Sequence, residues 1–323
     1  GRYSVKLKLS VIGEPCMDYI HRGEETTSKQ FGGILYSLVS LAVISKGKAV
    51  VYPVMNLGED EYDNVTGFLK TIGNIDLSYI NKTPHKTRVV NLFYKDKDSV
   101  LNVSTKKTYD REENSTEPTL PVEYEQIKEL LPKLDGILIN LVSGVDVTLS
   151  SLQEIRKKFT GYIHMDLHNL VMQTFPDGTR KQMPVKDWQS WVSQPDTLQM
   201  NESELNILTG DNVTEYETAG KILKSGEVGS IVVTRGRSGV SLFTMHKKDG
   251  AENTELVKSD VPRIDSPQFI DSTGCGDVFA SSYFYKNAEM NLGDMKSALA
   301  FANKMASLNA SLHGVEDLPK LIT

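Results

Sequence analysis

Short apolar runs alternate along this chain with longer helical stretches, and that alternation limits the folds open to it more than any other feature. Six runs read as strands: LKLSVIG (7–13), KAVVYPVMNL (48–57), GILINLV (136–142), GYIHMDL (161–167), DTLQM (196–200) and SIVVTRG (230–236). Helical patterns fall between and after them, at 32–46, 59–72, 148–160, 201–209, 214–224, 276–288 and 294–312. Apolar strands separated by helices are what a parallel sheet covered on both faces requires. The expected fold class is therefore α/β: a three-layer αβα sandwich around a doubly wound, mostly parallel sheet. Ligands in such folds sit beyond the carboxyl ends of the strands, so the strand-to-helix turns are where chemistry is expected.

Composition removes several function classes. Lys and Arg number 36 against 42 Asp and Glu, a net charge of −6. Nucleic-acid and acidic-membrane binders need a basic face, so neither partner is expected. The two cysteines, Cys16 and Cys275, lack C-x-x-C spacing, which excludes a disulfide scaffold and a Cys-based zinc site. No apolar run reaches the ~18 residues of a membrane span. The opening GRYSVKLKLS lacks the apolar stretch of a secretory leader, so a reducing cytoplasm is expected. Triplets such as Asn64–Val65–Thr66 and Asn102–Val103–Ser104 then read as chance glycosylation matches. There is no G-x-x-x-x-G-K-[ST], no H-E-x-x-H, no G-x-S-x-G and no G-x-G-x-x-G after the first strand. His164 and His168 share one strand-like run, which is a weak zinc signal.

Two stretches depart from the alternation. Residues 86–104 read as two β runs joined by a polar turn, and residues 14–30 have a weaker extended pattern. Together they suggest a small separate sheet acting as a cover. The polar segment 105–119 reads as a surface loop, and 246–260 as a hairpin excursion.

The segment IDSTGCGDVFASSYF (270–284) carries the most chemistry. Gly274, Cys275 and Gly276 are small and lie where a helix should begin. The first amides of a helix have no internal partner, and with the helix dipole they suit a phosphoryl group. Asp277 falls at the mouth of that anion hole, where it can accept the proton of an alcohol while the amides stabilise the transferring phosphate. The bland alternative is that Asp277 caps the helix. Cys275 has the alternative of a redox thiol, since helix N-termini lower thiol pKa values.

The segment Asp271–Ser272–Thr273–Gly274–Cys275–Gly276–Asp277 resembles the C-terminal signature of the PfkB (ribokinase-like) family of carbohydrate and nucleoside kinases, with Ser272 and Cys275 as small substitutions. NESELNILTG (201–210) resembles its Asn-x-x-Glu motif, and TRGRSGVSL (234–242) its Thr-x-Gly-x-x-Gly nucleotide loop. FGGILYSLVSLAVISKG (31–47) resembles the N-terminal Gly-Gly helix, and LSVIGEPCMD (9–18) the first strand. FANKMASLNASLHG (301–314) resembles the late helix bordering adenine, and all the matches keep the family's order.

The resemblance implies one ribokinase-like kinase domain over 1–323, with lid segments near 14–30 and 86–104. It implies ATP and Mg2+ as cofactors, Asp277 as general base, and Gly274, Cys275 and Gly276 as the anion hole. Asn201, Glu204, Thr234, Gly236, Gly239 and Asn303 would bind the nucleotide, with Glu204 meeting magnesium through water. Asn201 and Glu204 also read as a capping-box analogue, Gly236 and Gly239 as a hairpin turn, and Asn303 as a packing residue. Asp18, Gly32, Gly33 and Ser37 would bind substrate. In several family members the region of Asp271 also holds a monovalent cation such as K+.

Three departures fall in the substrate half. Ser37 stands where the family commonly has Asn, Gly58–Glu59–Asp60 runs on to Asp63 without the usual Gly, and Asp-x-Asn-x-Arg becomes Asp166–Leu167–His168–Asn169–Leu170. Reaction type is thus better defined than substrate. The expected activity is ATP-dependent phosphorylation of a hydroxymethyl group on a sugar or polyol. A nucleoside kinase, with Tyr19, Phe31 and Tyr36 as aromatic candidates, and a non-catalytic sugar or nucleotide sensor are the rivals. An exposed lid edge suggests a homodimer.

Overall fold

The structure is a computed structural model and describes residues 5–24, 26–94, 111–177, 179–247, 250, 253–266, 268–269 and 273–322. The chain begins with β1 (Leu7–Ile12), β2 (Pro15–Arg22) and β3 (Thr26–Gly33), then α1 (Leu35–Ile44), β4 (Ala49–Gly58) and α2 (Tyr62–Ile72). Next come β5 (Ile80–Thr83), β6 (Arg88–Tyr94), β7 (Arg111–Ser115), α3 (Tyr124–Ile127), β8 (Gly136–Asn140), α4 (Leu149–Lys158) and β9 (Tyr162–Asp166). A short hairpin, β10 (Met172–Thr174) and β11 (Arg180–Gln182), precedes α5 (Trp188–Val192), β12 (Thr197–Asn201), α6 (Glu202–Ile207) and α7 (Glu215–Leu223). The remainder is β13 (Ser230–Thr234), β14 (Val240–Lys247), β15 (Thr254–Val261), α8 (Cys275–Glu289) and α9 (Met295–Asn309).

One large sheet runs β15-β14-β13-β12-β9-β8-β1-β4-β5. It is parallel from β13 to β5, and β14 and β15 add an antiparallel edge. Both faces are covered, and the strands show it residue by residue. On β8, Ile137 and Ile139 enter one core cluster with α4 and α6, while Leu138 between them enters another with α1 and α8. That is why these strands read as continuous apolar runs. The expected α/β sandwich with its mostly parallel sheet is the observed one.

The chain winds outward from β1 in both directions, to β4 and β5 on one side and to β8, β9, β12 and β13 on the other. The order reverses between β1 and β8, the place where such sheets open a crevice at their carboxyl ends. α1 is buried on nearly every position, as its apolar pattern requires. Thr148, Thr214 and Asp294 start α4, α7 and α9 by accepting bonds from the amides of Ser151, Glu217 and Ser297.

A second sheet of order β3-β2-β6-β7 stands apart from the first. Segments 14–30 and 86–94 meet there, with β2 antiparallel to β3 and parallel to β6. Residues 95–104 of the expected second lid segment lie outside the described residues, as do 105–110 of the expected loop. The rest of that loop is corrected, because Arg111–Ser115 forms β7 against β6. Its sequence is polar because β7 is an edge strand with exposed side chains, so no hydrophobic alternation marks it. No described helix is long and apolar enough to cross a membrane.

His164 of β9 is fully buried, with Nδ1 2.7 Å from Thr197 Oγ1 and Nε2 3.0 Å from Gln199 Oε1. The metal-type cluster that His168 joins, with Asp166 and Asp277, does not include His164. Burial lowers the pKa of His164 from 6.5 to about 4. The folded chain thus resists a proton that the unfolded chain takes up near 6.5, so this contribution is complete above that pH and fades as pH falls toward 4. We expect His164→Gln to lessen the loss of unfolding free energy between pH 7 and pH 5 by about 2 kcal/mol in urea titrations. Equal losses in both proteins would contradict a buried neutral imidazole.

Candidate active site

The carboxyl ends of the parallel strands deliver most of the polar groups to one place. Asn140 ends β8, Asp166 ends β9, Asn201 ends β12 and Thr234 ends β13. Opposite them α8 begins. Gly274 precedes the helix in the left-handed conformation, φ +80, and a Cβ there would lie 2.3 Å from Tyr36 Cδ1. Only glycine meets both demands. Gln199 Nε2 donates to Gly276 O at 3.2 Å, and Asn309 Nδ2 donates to Thr273 O at 3.0 Å, so β12 and α9 both hold this turn. The Cys275 thiol donates to Ala306 O at 3.4 Å and accepts from Asn309, which ties it to α9. Asp271 and Ser272 lie outside the described residues, so the structure does not describe the expected cation position at Asp271.

Asp277 sits in the first turn of α8, half-buried, with its Oδ1 accepting from Asn140 Nδ2 at 2.9 Å. The same Nδ2 donates to Ser37 Oγ at 3.1 Å. Asn140 Oδ1 lies 3.1 Å from His168 Nδ1. Because the amide nitrogen faces two acceptors, its oxygen faces the imidazole, and Nδ1 of His168 carries the hydrogen. His168 itself adopts φ +41, a strained backbone for a non-glycine residue. Ligand-type atoms of Asp166, His168 and Asp277 all lie within 4.8 Å of one another.

Burial raises the pKa of Asp277, opposed by the nearby His168 and by the Asn140 hydrogen bond. Asp166 is pushed up to about 8 by burial, with Glu204 and Asp277 adding to the rise and His168 opposing it. Burial also raises Glu204, again against His168. For His168 burial works downward, but the carboxylates of Asp166, Asp277 and Glu204 outweigh it and the pKa rises. One imidazole thus offsets three acids, the kind of charge crowding that marks functional sites.

Two cavities meet here. The smaller, about 190 Å³, is lined by Asp166, His168, Gln199, Asn201, Glu204, Thr234, Gly274, Gly276 and Asp277. The larger, about 400 Å³, includes Asn201, Thr234, Gly236, Gly239, Cys275, Gly276 and Asn303, with Phe269, Phe279 and Ile264 among its apolar walls. Asn201, Thr234 and Gly276 belong to both. Asn201 and Glu204 also form a reciprocal cap at the start of α6, Glu204 N donating to Asn201 Oδ1 at 2.8 Å and Asn201 N to Glu204 Oε1 at 3.0 Å. The cap and the cavity wall are one arrangement. Asn303 Nδ2 donates to Pro262 O at 2.9 Å, which packs α9 against the segment after β15.

Among the expected substrate residues, Ser37 joins Asp277 through Asn140. Asp18 of β2 lies against Gly32, where a Cβ would stand 2.4 Å from Asp18 Oδ2, and Gly33 ends the same β3 strand. Asp18, Gly32 and Gly33 line neither cavity. Sequence reasoning passed over Asn140, Asp166, His168 and Gln199 as site residues. A polar residue closing an apolar strand was the available signal for Asn140, and the altered Asp166–Leu167–His168 segment for Asp166 and His168; Gln199 had no such signal.

A family model described as pfkB family carbohydrate kinase matches residues 160–321, and the chain belongs to that family. Kinases of this family are phosphotransferases. Solved structures of the ribokinase family superpose on almost the whole chain. Arabidopsis thaliana ribokinase complexed with ribose and ATP shares 18% identity, with a TM-score of 0.69 over 98% of this chain and 99% of that one. A Methanocaldococcus jannaschii nucleoside kinase shares 18%, with a TM-score of 0.69 over 99% and 98%. A pyrophosphate-dependent kinase of the ribokinase family, complexed with a pyrophosphate analog and myo-inositol, shares 16%, with a TM-score of 0.70 over 96% and 98%. No curated protein matches the sequence.

The two glycines flanking Cys275 should behave differently. Gly274→Ala forces a Cβ onto Tyr36 in a left-handed backbone and should cost about 1–3 kcal/mol of stability. Gly276→Ala meets no heavy atom within 4 Å and should be neutral or slightly stabilising. Chemical denaturation of both variants checks the contrast.

Proposed function

We propose that this chain transfers a phosphoryl group from ATP to a hydroxyl of a small sugar or sugar-like acceptor, with Asp277 as general base. The observation that carries the reading is the shared wall of the two cavities. A large, apolar-sided cavity suits a nucleotide, and Gly276, Asn201 and Thr234 connect it to the polar cavity containing Asp277. A phosphoryl group bridging that wall would meet the first turn of α8 on one side and an acceptor hydroxyl beside Asp277 on the other.

Each residue then has a stated task. Asp277 accepts the hydroxyl proton, and Asn140 keeps its carboxylate turned into the cavity. Gly274 sets the helix start, and Gly276 lets the phosphate approach the backbone. Thr234, Gly236, Gly239 and Asn303 border the nucleotide. The donor set also suits magnesium, since Asp166 and Glu204 offer carboxylate oxygens around the small cavity that Asp277 also lines. Bound with the donor phosphates, the ion would neutralise charge developing on the transferring group. The four-stranded sheet would cover the acceptor and exclude water.

A sugar is favoured over a nucleoside as acceptor. Phe31 is buried in a stack on Phe68 at 5.0 Å and Tyr36 is buried against the Gly274 turn, so of the three aromatic candidates just the half-buried Tyr19 remains to meet a base. Turnover separates the enzyme from a mere sensor: ADP should form when ATP, magnesium and the correct acceptor are present, and ligand-induced thermal stabilisation with no ADP from any acceptor would favour the sensor. Asp277→Asn should lower turnover about 10²–10⁴-fold while leaving ATP affinity little changed. Glu204→Gln should raise the magnesium concentration needed for half-maximal rate. A coupled ADP assay with a magnesium titration tests both, and near-normal rates for Asp277→Asn would remove it as the base.

A further inference from the structure

Six buried side-chain atoms among the described residues have no hydrogen-bond partner, and three of them come from one cluster: Glu14 Oε2, Arg88 Nε and Arg180 Nε. Such atoms cost free energy when left unpaired, so three together need a cause. Glu14 and Arg88 are 4% and 5% exposed. Arg88 makes a single side-chain hydrogen bond, from Nη2 to Ser115 Oγ at 3.2 Å. Among the described residues Arg180 reaches only Glu113, at 3.5 Å. Glu14 Oε1 accepts from Thr119 N at 3.1 Å, while its Oε2 is unmatched. The neighbouring Asp146 is engaged elsewhere, its Oδ1 accepting from Ser143 N, Ser143 Oγ and Gly144 N and its Oδ2 from Glu14 N. Neither Arg88 nor Arg180 bonds to it among the described residues.

These groups converge from distant parts of the chain. Glu14 follows β1, Arg88 lies on β6 opposite Cys16, and Arg180 lies on β11. The position is the acceptor side of the proposed site. Ile12 pairs with Ile139, so Glu14 and Asn140 emerge from the same end of adjacent strands, and Asn140 holds Asp277. Glu14 O also accepts from Ile34 N at 2.9 Å, which ties it to the Gly32–Gly33 turn beside Asp18. The electrostatics of the cluster would favour an anion. Burial and the adjacent Arg88 both lower the pKa of Arg180, so two guanidinium groups repel each other in a desolvated place. Burial and Asp146 raise Glu14 to about 7 against the pull of Arg88, so this acid balances the arginines only in part.

We propose that Arg88, Arg180 and Glu14 form a subsite for an oxyanion, a phosphate or a carboxylate, carried by the phosphoryl acceptor away from its reacting hydroxyl. The proposal rests on the kinase reading for its location, and on the unpaired atoms for its chemistry. Planar guanidinium groups hold such anions through paired N–H donors. Glu14 adds an acceptor for a neighbouring hydroxyl or, when protonated, a donor to the anion itself.

The test compares binding of glucose, glucose 6-phosphate, gluconate and inorganic phosphate by calorimetry, with the nucleotide cavity filled by a non-hydrolysable ATP analogue. In the wild type the charged probes should bind at least about tenfold tighter than glucose, and Arg88→Met and Arg180→Met should each abolish most of that difference. The phosphate and carboxylate arms distinguish the two anions. Glucose binding as tightly as its charged relatives, no binding by any charged probe, or a preference surviving both substitutions would each overturn the subsite. The wild-type comparison stands even where a variant fails to fold. ADP release in parallel assays keeps the two readings separate. ADP from neutral acceptors alone defeats the subsite and leaves the kinase, whereas arginine-dependent anion binding with no ADP from any acceptor does the reverse.

Discussion

One amide organises the centre of this protein. Asn140, fully buried at the end of β8, donates through a single nitrogen to Ser37 on α1 and to Asp277 on α8, and turns its oxygen to His168 after β9. A buried carboxylate without a donor would be driven to its neutral form. The Asn140 bond opposes that shift at Asp277 and fixes where the carboxylate points. Everything proposed for the chemistry depends on this orientation, and the orientation depends on three elements packing around one side chain.

The same crevice concentrates acids where burial disfavours their charge. Asp166, Glu204 and Asp277 are all raised, and His168 is the basic group that offsets them. Such crowding opposes stability, and it lies at the carboxyl ends of the parallel strands, where folds of this class receive ligands. The strained backbone of His168 belongs to the same pattern of local cost at a site. On the proposed reading, strand ends and the α8 turn would form a donor half, and the space between the two sheets an acceptor half.

The two halves were unequally legible. The donor half is read by local patterns: a glycine-flanked helix start, an Asn–Glu cap and a strand ending in Thr234 and Gly236 all draw their meaning from neighbours a few residues away. Their expected positions line the two cavities. The acceptor half is not local. Arg88, Glu14 and Arg180 look like ordinary charged residues until β2 pairs with β6 and the β10–β11 hairpin comes alongside. β7 escaped notice for a related reason, since an exposed edge strand needs no apolar alternation.

By itself, the sequence determined the layered α/β architecture, because strands buried on both faces must be continuously apolar and the helices between them must cover those faces. Its short motifs also carried the resemblance to a kinase family, which the family model matches over residues 160–321. Tertiary structure alone decided which side chains face one another across that framework: Asn140 on Asp277, His168 among three acids, and two arginines beside Glu14. The physical reason is that backbone pattern acts over a few residues, whereas hydrogen bonds and charge interactions act across space between segments more than a hundred residues apart in the chain.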